Sequence, residues 1–388
     1  MKHWLLSVLL VVCGTVSAQI TLVKDGKSSA RIIVQDKMPN SKTSAQFLQR
    51  FLTEISGVAL PIENDKTPRK GDILIGGQSS AEVTEDGFSI STQDGILKIS
   101  GKENGVVYGV VTLLEQYLGI DYWGENEYSL TPSKTVNLPF INKVENPGFR
   151  YRQTQCYAIH TDSIYKWWNR LEEPNEVFAA GYWVHTFDKL LPSFIYGKEH
   201  PEYYSYFKGK RHPGKASQWC LSNPEVFEIV AQRVDSIFKA NPDKHIMSVS
   251  QNDGNYTNCT CDACKAIDDY EGALSGSIIT FLNKLAARFP DKEFSTLAYL
   301  YTMNPPKHVK PLPNVNIMLC DIDCDREVTL TENASGKEFV KAMEGWSKIT
   351  NNIFVWDYGI NFDNYLAPFP NFHILQDNIR LFKKNHAT

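Results

Sequence analysis

HIMSVSQND, residues 245–253, is a short apolar run that stops in three polar residues. Ile246, Met247 and Val249 predict a buried strand, and Gln251, Asn252 and Asp253 fall where it should end. Three stretches downstream share this build: FSTLAYLYT (294–302), VNIMLCDID (315–323) and IFVWDYGI (353–360). Helical patterns separate most of them. NPEVFEIVAQRVDSIFKAN (223–241) opens on Asn223 as N-cap with Pro224 at the first helical position. SGSIITFLNKLAARFP (275–290) and GKEFVKAMEGWSKIT (336–350) keep the rhythm. Strands alternating with helices predict a parallel sheet. Upstream, FRYRQTQCYA (149–158), GYWVHTF (181–187) and SQWCLS (217–222) are further strand candidates, which makes seven. The predicted fold class is α/β, a (β/α)8 TIM barrel. After the seventh strand comes only the helical PNFHILQDNIRLFKKN (370–385), so a barrel truncated before strand 8 is expected.

Residues 19–145 predict a separate small α/β domain. ITLV, ARIIV, GDILIG, GFSIS and ILKISG are its strands. SKTSAQFLQRFLTEISG (41–57) is a helix with Phe47, Leu48, Phe51, Leu52 and Ile55 on one stripe. NGVVYGVVTLLEQYLG (104–119) is apolar on most of its surface and should be sandwiched. The domain holds no His, Cys or acid cluster, which leaves it a supporting role. Asn146-Pro147-Gly148 marks the boundary, so the catalytic barrel is expected over 146–388. Residues 1–18 have a basic start, an apolar run and a small-x-small VSA before Gln19, the pattern of a cleavable signal peptide. An exported product, periplasmic or extracellular, is the expectation. A net charge of −4 over 388 residues gives no basis for nucleic acid as a partner. No other segment reads as a membrane span.

In such a barrel the active site lies at the C-terminal ends of the strands. The residues there are His185, the Gln251–Asp253 triplet, Tyr299 and Tyr301, Asp321 and Asp323, and Asp357 with Tyr358. Any one Asp after a strand is most often a turn former or helix cap. Their recurrence at four successive strand ends points instead to glycoside hydrolysis, which uses carboxyl groups, polar side chains for hydroxyls and aromatic walls. Six of eight Trp and fourteen of eighteen Tyr lie after residue 146, in the same half as these ends. They serve either a large core or a sugar cleft.

The run WVHTF…HPEYYSYFKGKR…QWCLSNPEV…SVSQNDG…CTCDAC…TLAYLYTMNPP resembles glycoside hydrolase family 163, endo-β-N-acetylglucosaminidase-like enzymes. The first domain, through GFSIS…ILKISG…NGVVYGVVTLLEQYLG, is similar to the small α/β domain that precedes the barrel in β-hexosaminidases and α-glucuronidases. The resemblance implies a retaining endo-β-N-acetylglucosaminidase on complex N-glycans in which the substrate's own acetamide oxygen attacks the anomeric carbon. On that reading Asn252 orients the acetamide and Asp253 is the general acid. β-Hexosaminidases carry an adjacent Asp-Glu pair, where this chain has Asn-Asp. Substrate binding then falls to His185, Gln251, Tyr299, Tyr301, Asp321, Asp357 and Tyr358. No cofactor is expected, and the partner is an oligosaccharide or glycoprotein glycan. The alternatives are an α-glucuronidase-like or other exo-glycosidase, and a non-catalytic carbohydrate-binding barrel.

Seven cysteines follow the signal segment. Export favours disulfides among Cys220, Cys259, Cys261 and Cys264, and Cys320 could pair with Cys324. The tight C-x-C-x2-C spacing keeps a structural zinc on the same four residues open, while no residue pattern completes a catalytic metal site. KGKRHPGK (208–215) reads as a solvated basic turn or as a contact for an acidic sugar.

Overall fold

The computed structural model describes residues 20–35 and 39–388, so the signal segment lies outside the described residues. The chain is mixed α/β and divides into two compact units, Met1–Pro147 with Thr154–Leu171, and Gly148–Gln153 with Glu172–Thr388.

In the first unit the strands are β1 Ile20–Val23, β2 Ile32–Val34, β3 Ile62–Asn64, β4 Ile73–Ile75, β5 Phe88–Gln93 and β6 Ile96–Gly101. They continue with β7 Asp121–Gly124, β8 Glu127–Ser129, β9 Val136–Leu138 and β10 Asn142–Glu145. Six of them form one sheet in the order β10-β5-β6-β4-β2-β3. Helix α1, Pro39–Ser56, buries Phe47, Leu48, Phe51, Leu52 and Ile55 and stops at Gly57, whose φ of 77° suits a residue without a side chain. Helix α2, Gly105–Thr112, is buried at every residue, as its all-round apolar pattern requires. Its first residue must be glycine, because a Cβ there would sit 1.9 Å from the carbonyl oxygen of Gly87.

In the second unit β11 Tyr206–Phe207 and β12 Lys210–Arg211 make a hairpin that leads into the basic turn. Then β13 Ile246–Ser248, β14 Glu293–Ala298, β15 Val315–Cys320 and β16 Ile353–Trp356 form a parallel sheet in chain order. β15 is buried at all six residues, the signature of a strand covered on both faces. The helix Pro224–Ala240 starts as read: the Asn223 side chain accepts from Glu225 N at 2.9 Å, and Val226, Val230, Val234 and Phe238 face the core. The helices Gly276–Arg288, Ala334–Ser347 and Phe372–Lys384 complete the packing.

Four of the seven expected barrel strands therefore form a ladder, and the described residues close no barrel. Residues 149–158 form no strand. Trp219 makes only one antiparallel bridge, to Tyr204. The 181–187 segment does run beside β13: Ser248 N donates to Tyr182 O at 2.7 Å and Thr186 N to Ser250 O at 3.0 Å. It is not a strand because His185, at φ 51°, turns left-handed in its middle. Single parallel bridges, Phe178 to Ile246 and Ala387 to Ile353, extend the arc at either side.

Candidate functional site

The ends of β13–β16 open on a cleft of about 290 Å³ lined by His185, Asp253, Leu297, Tyr299, Cys320, Ile322, Trp356, Tyr358 and Phe362. Four of the residues named from sequence meet here: His185, Asp253, Tyr299 and Tyr358.

The left-handed turn at His185 places its Nδ1 2.9 Å from Gln251 O. A carbonyl only accepts, so Nδ1 carries the hydrogen and Nε2 is the nitrogen left to accept one. Asp253 is exposed, and the Tyr299 hydroxyl donates toward its Oδ1 at 3.5 Å, the long end of a hydrogen bond. The Tyr299 phenol is pushed up to about 12, first by burial and then by the charge of Asp253, so it stays a neutral donor. Trp356 and Tyr358 lie two apart on an extended chain and share a face. Their rings stack at 5.5 Å and 5°. Trp183 packs on Trp356 at 4.9 Å, and Phe362 meets Tyr358 edge-on at 5.8 Å. An aromatic wall thus faces one carboxylate, one phenol and one imidazole.

The other expected residues are elsewhere. Asn252 is buried and fully engaged in packing. Its Oδ1 accepts from Asp188 N at 3.0 Å and its Nδ2 donates to Ser217 O at 2.7 Å. The Gln218 side chain pairs with its backbone at 2.9 and 3.0 Å. Gln251 is also buried, its Nε2 donating to Leu297 O at 3.1 Å and Thr302 Oγ1 at 2.8 Å. Both amides lock the loop that presents Asp253. Tyr301 lies beside Asn258, Cys259 and Cys264 rather than in the cleft.

Asp321 and Asp357 follow adjacent strands and share Arg326. The Arg326 guanidinium pairs closely with Asp321 Oδ1 and lies 3.4 Å from Asp357 Oδ1. Burial, and next the Asp357 carboxylate, hold Asp321 well above the ordinary carboxylate range against the pull of Arg326. One cation thus serves two acids, one of them closed off from solvent. Asp321 does not line the cleft. Trp183, Trp356, Arg326 and Phe362 were not singled out from sequence. The W-x-Y alternation at 356–358 was the available signal for Trp356, and nothing local marks Trp183 or Arg326.

Among the described residues all seven cysteines are free. The expected disulfides are therefore not formed, nor is a Cys320–Cys324 bridge. Cys320 Sγ instead approaches Met318 O, and Cys324 Sγ approaches Ser335 O, each at 3.7 Å. Cys220, Cys259, Cys261 and Cys264 bring their four sulfurs within 4.8 Å of one another.

Residues 122–388 match the family described as "Domain of unknown function (DUF4838)". The chain belongs to that family. No curated protein matches it. Among solved structures, it is similar to the N-acetyl-β-hexosaminidase of Streptomyces plicatus at 10% identity and TM-score 0.47, over 93% of this chain and 77% of that one. The β-N-acetylhexosaminidase of Bacteroides fragilis gives 10% and 0.46, over 89% and 75%. An exo-β-N-acetylglucosaminidase of Vibrio harveyi gives 12% and 0.41, over 88% and 58%. Likenesses at this level say nothing about site residues or substrate. No described helix is long and apolar enough to cross a membrane.

Proposed function

We propose that this protein is a glycoside hydrolase whose substrate is a β-N-acetylglucosaminide, with Asp253 as proton donor to the leaving oxygen. The observation that carries this is the cleft itself: an Asp carboxylate and a neutral Tyr299 phenol facing the stacked Trp356–Tyr358 wall at the ends of parallel strands. Rings suit the apolar face of a pyranose. Carboxyl, phenol and imidazole suit its hydroxyls and glycosidic oxygen. The finer reading, a retaining endo-cut between the core N-acetylglucosamines of complex N-glycans by an exported enzyme, rests on the resemblance to family 163 and on the signal pattern. In that route the acetamide oxygen bonds to the anomeric carbon as the glycosidic bond breaks. The leaving oxygen takes the proton of Asp253. Water then opens the oxazoline ion and returns a proton to Asp253. Asn252 is committed to packing, so a phenol of the cleft, Tyr299 or Tyr358, would hold the acetamide. Among the described residues lining the cleft there is no Arg or Lys, which disfavours a uronic acid substrate.

The test is mass spectrometry of a complex N-glycoprotein incubated with the protein and with Asp253→Asn. Release of glycan bearing one reducing N-acetylglucosamine, lost in the variant, is expected. Equal release by both would remove Asp253 from the reaction. Tight glycan binding with no release would make the cleft a binding site only.

A further inference from the structure

We infer that Cys220, Cys259, Cys261 and Cys264 form a structural zinc site. The argument is geometric and does not depend on the function proposed above. Cys220 Sγ lies 3.7 Å from Cys261 Sγ and 4.0 Å from Cys264 Sγ, and all four sulfurs fall within 4.8 Å. A bonded disulfide would hold two of them about 2.05 Å apart. Thiolates about 2.3 Å from a tetrahedral zinc stand about 3.8 Å from each other, close to the two spacings at Cys220. Cys220, Cys259 and Cys264 are buried and Cys261 is half-buried. Four thiols thus lie together with no disulfide between any of them.

Outer partners fit a doubly negative centre. Tyr206 N donates to Cys259 Sγ at 3.3 Å, and Arg211 Nη1 approaches the same sulfur at 3.6 Å. Ser222 Oγ lies 3.1 Å from Cys264 Sγ and 3.5 Å from Cys220 Sγ. N–H groups aimed at ligating sulfurs, as from Tyr206 and Arg211, orient and stabilise a thiolate site. Cys261 caps the helix Asp262–Glu271 and Cys264 sits in its first turn, where the helix dipole favours negative charge. The hairpin that leads into the basic turn finds a use here: it delivers Tyr206 and Arg211 to the sulfurs. Binding would exchange four thiol protons for one Zn2+, leaving a centre of charge −2 beside Arg211. Two chain segments, around Cys220 and over 254–264, would be tied at one point, with the 206–211 hairpin hydrogen-bonded over them. One of them is the 254–264 loop that follows Asp253.

The test is metal analysis of the full protein by inductively coupled plasma mass spectrometry, with native mass spectrometry of the same sample. One zinc per chain is expected, falling more than about tenfold in Cys261→Ser, whose position is the most exposed of the four. Cobalt exchanged into the wild-type protein should show thiolate-to-cobalt charge transfer and tetrahedral d–d bands, a readout that does not need the variant to fold. A mass short by four hydrogens with no metal would establish two disulfides and overturn the inference. Four free thiols with no metal after refolding in excess zinc would overturn it equally.

Discussion

Asp268 carries a charge that the fold penalises, and the penalty has a definite size and sign. It lies in the helix Asp262–Glu271, is 6% exposed, and its Oδ1 accepts from Ser277 N at 2.8 Å, at the start of the next helix. Burial outweighs that hydrogen bond and raises its pKa from 3.8 to about 6. The folded state therefore holds the proton to higher pH than the unfolded chain does. Stability from this group is fully present below the unfolded pKa and is lost as pH rises through the folded one. About two units at roughly 1.4 kcal/mol each give a loss of about 3 kcal/mol, of which about 2 kcal/mol falls between roughly pH 4.5 and 7.5. Asp268→Asn keeps the acceptor for Ser277 N and cannot ionise. Urea unfolding of both proteins across that window isolates the effect, because every other titration cancels in the difference. The variant should gain about 2 kcal/mol on wild type as pH rises. A difference that stays flat with pH would refute the reasoning, since a buried carboxylate and its amide must diverge where only one of them charges.

Asn252→Ala should cost about 2–4 kcal/mol in the same unfolding assay, because Asp188 N and Ser217 O are left buried without their partners. A loss within the scatter of surface substitutions would mean that the amide is not a packing element. Trp356→Ala should weaken binding of a core-chitobiose glycan, measured by calorimetry, by tenfold or more, since it removes the centre of the stacked wall. Unchanged affinity would place the sugar elsewhere.

The four ladder strands were legible because each is a run of apolar residues too short for a helix, closed by polar residues. The helix Pro224–Ala240 was legible through its cap and its i, i+4 stripe. The 149–187 region was misread for a physical reason. FRYRQTQCYA and GYWVHTF alternate as strands do, but alternation records only which side chains want burial. It does not record backbone sign. Ala180 and His185 both take positive φ, and no residue type there announces it. The helix Asp262–Glu271 was missed although Gly272, at φ 66°, ends it in the usual way. Its N-cap is Cys261 and its first turn holds Cys264, residue types that do not mark a helix start.

The same contrast explains the site. Residues that face the cleft and residues that hold it arise from one triplet, Gln251-Asn252-Asp253. Past the end of β13 the first two are buried and spend their amides on neighbouring loops. Only the third reaches solvent. A polar residue at a strand end is therefore ambiguous until its partners are known. A side chain with two buried backbone partners cannot serve a substrate without breaking both bonds. Asp321 repeats the lesson one strand group away. An acid is expected there, but Arg326 and Asp357 close over it, and burial holds its carboxyl well above the ordinary range. Of the acids expected at these strand ends, Asp253 is the one that lines the cleft.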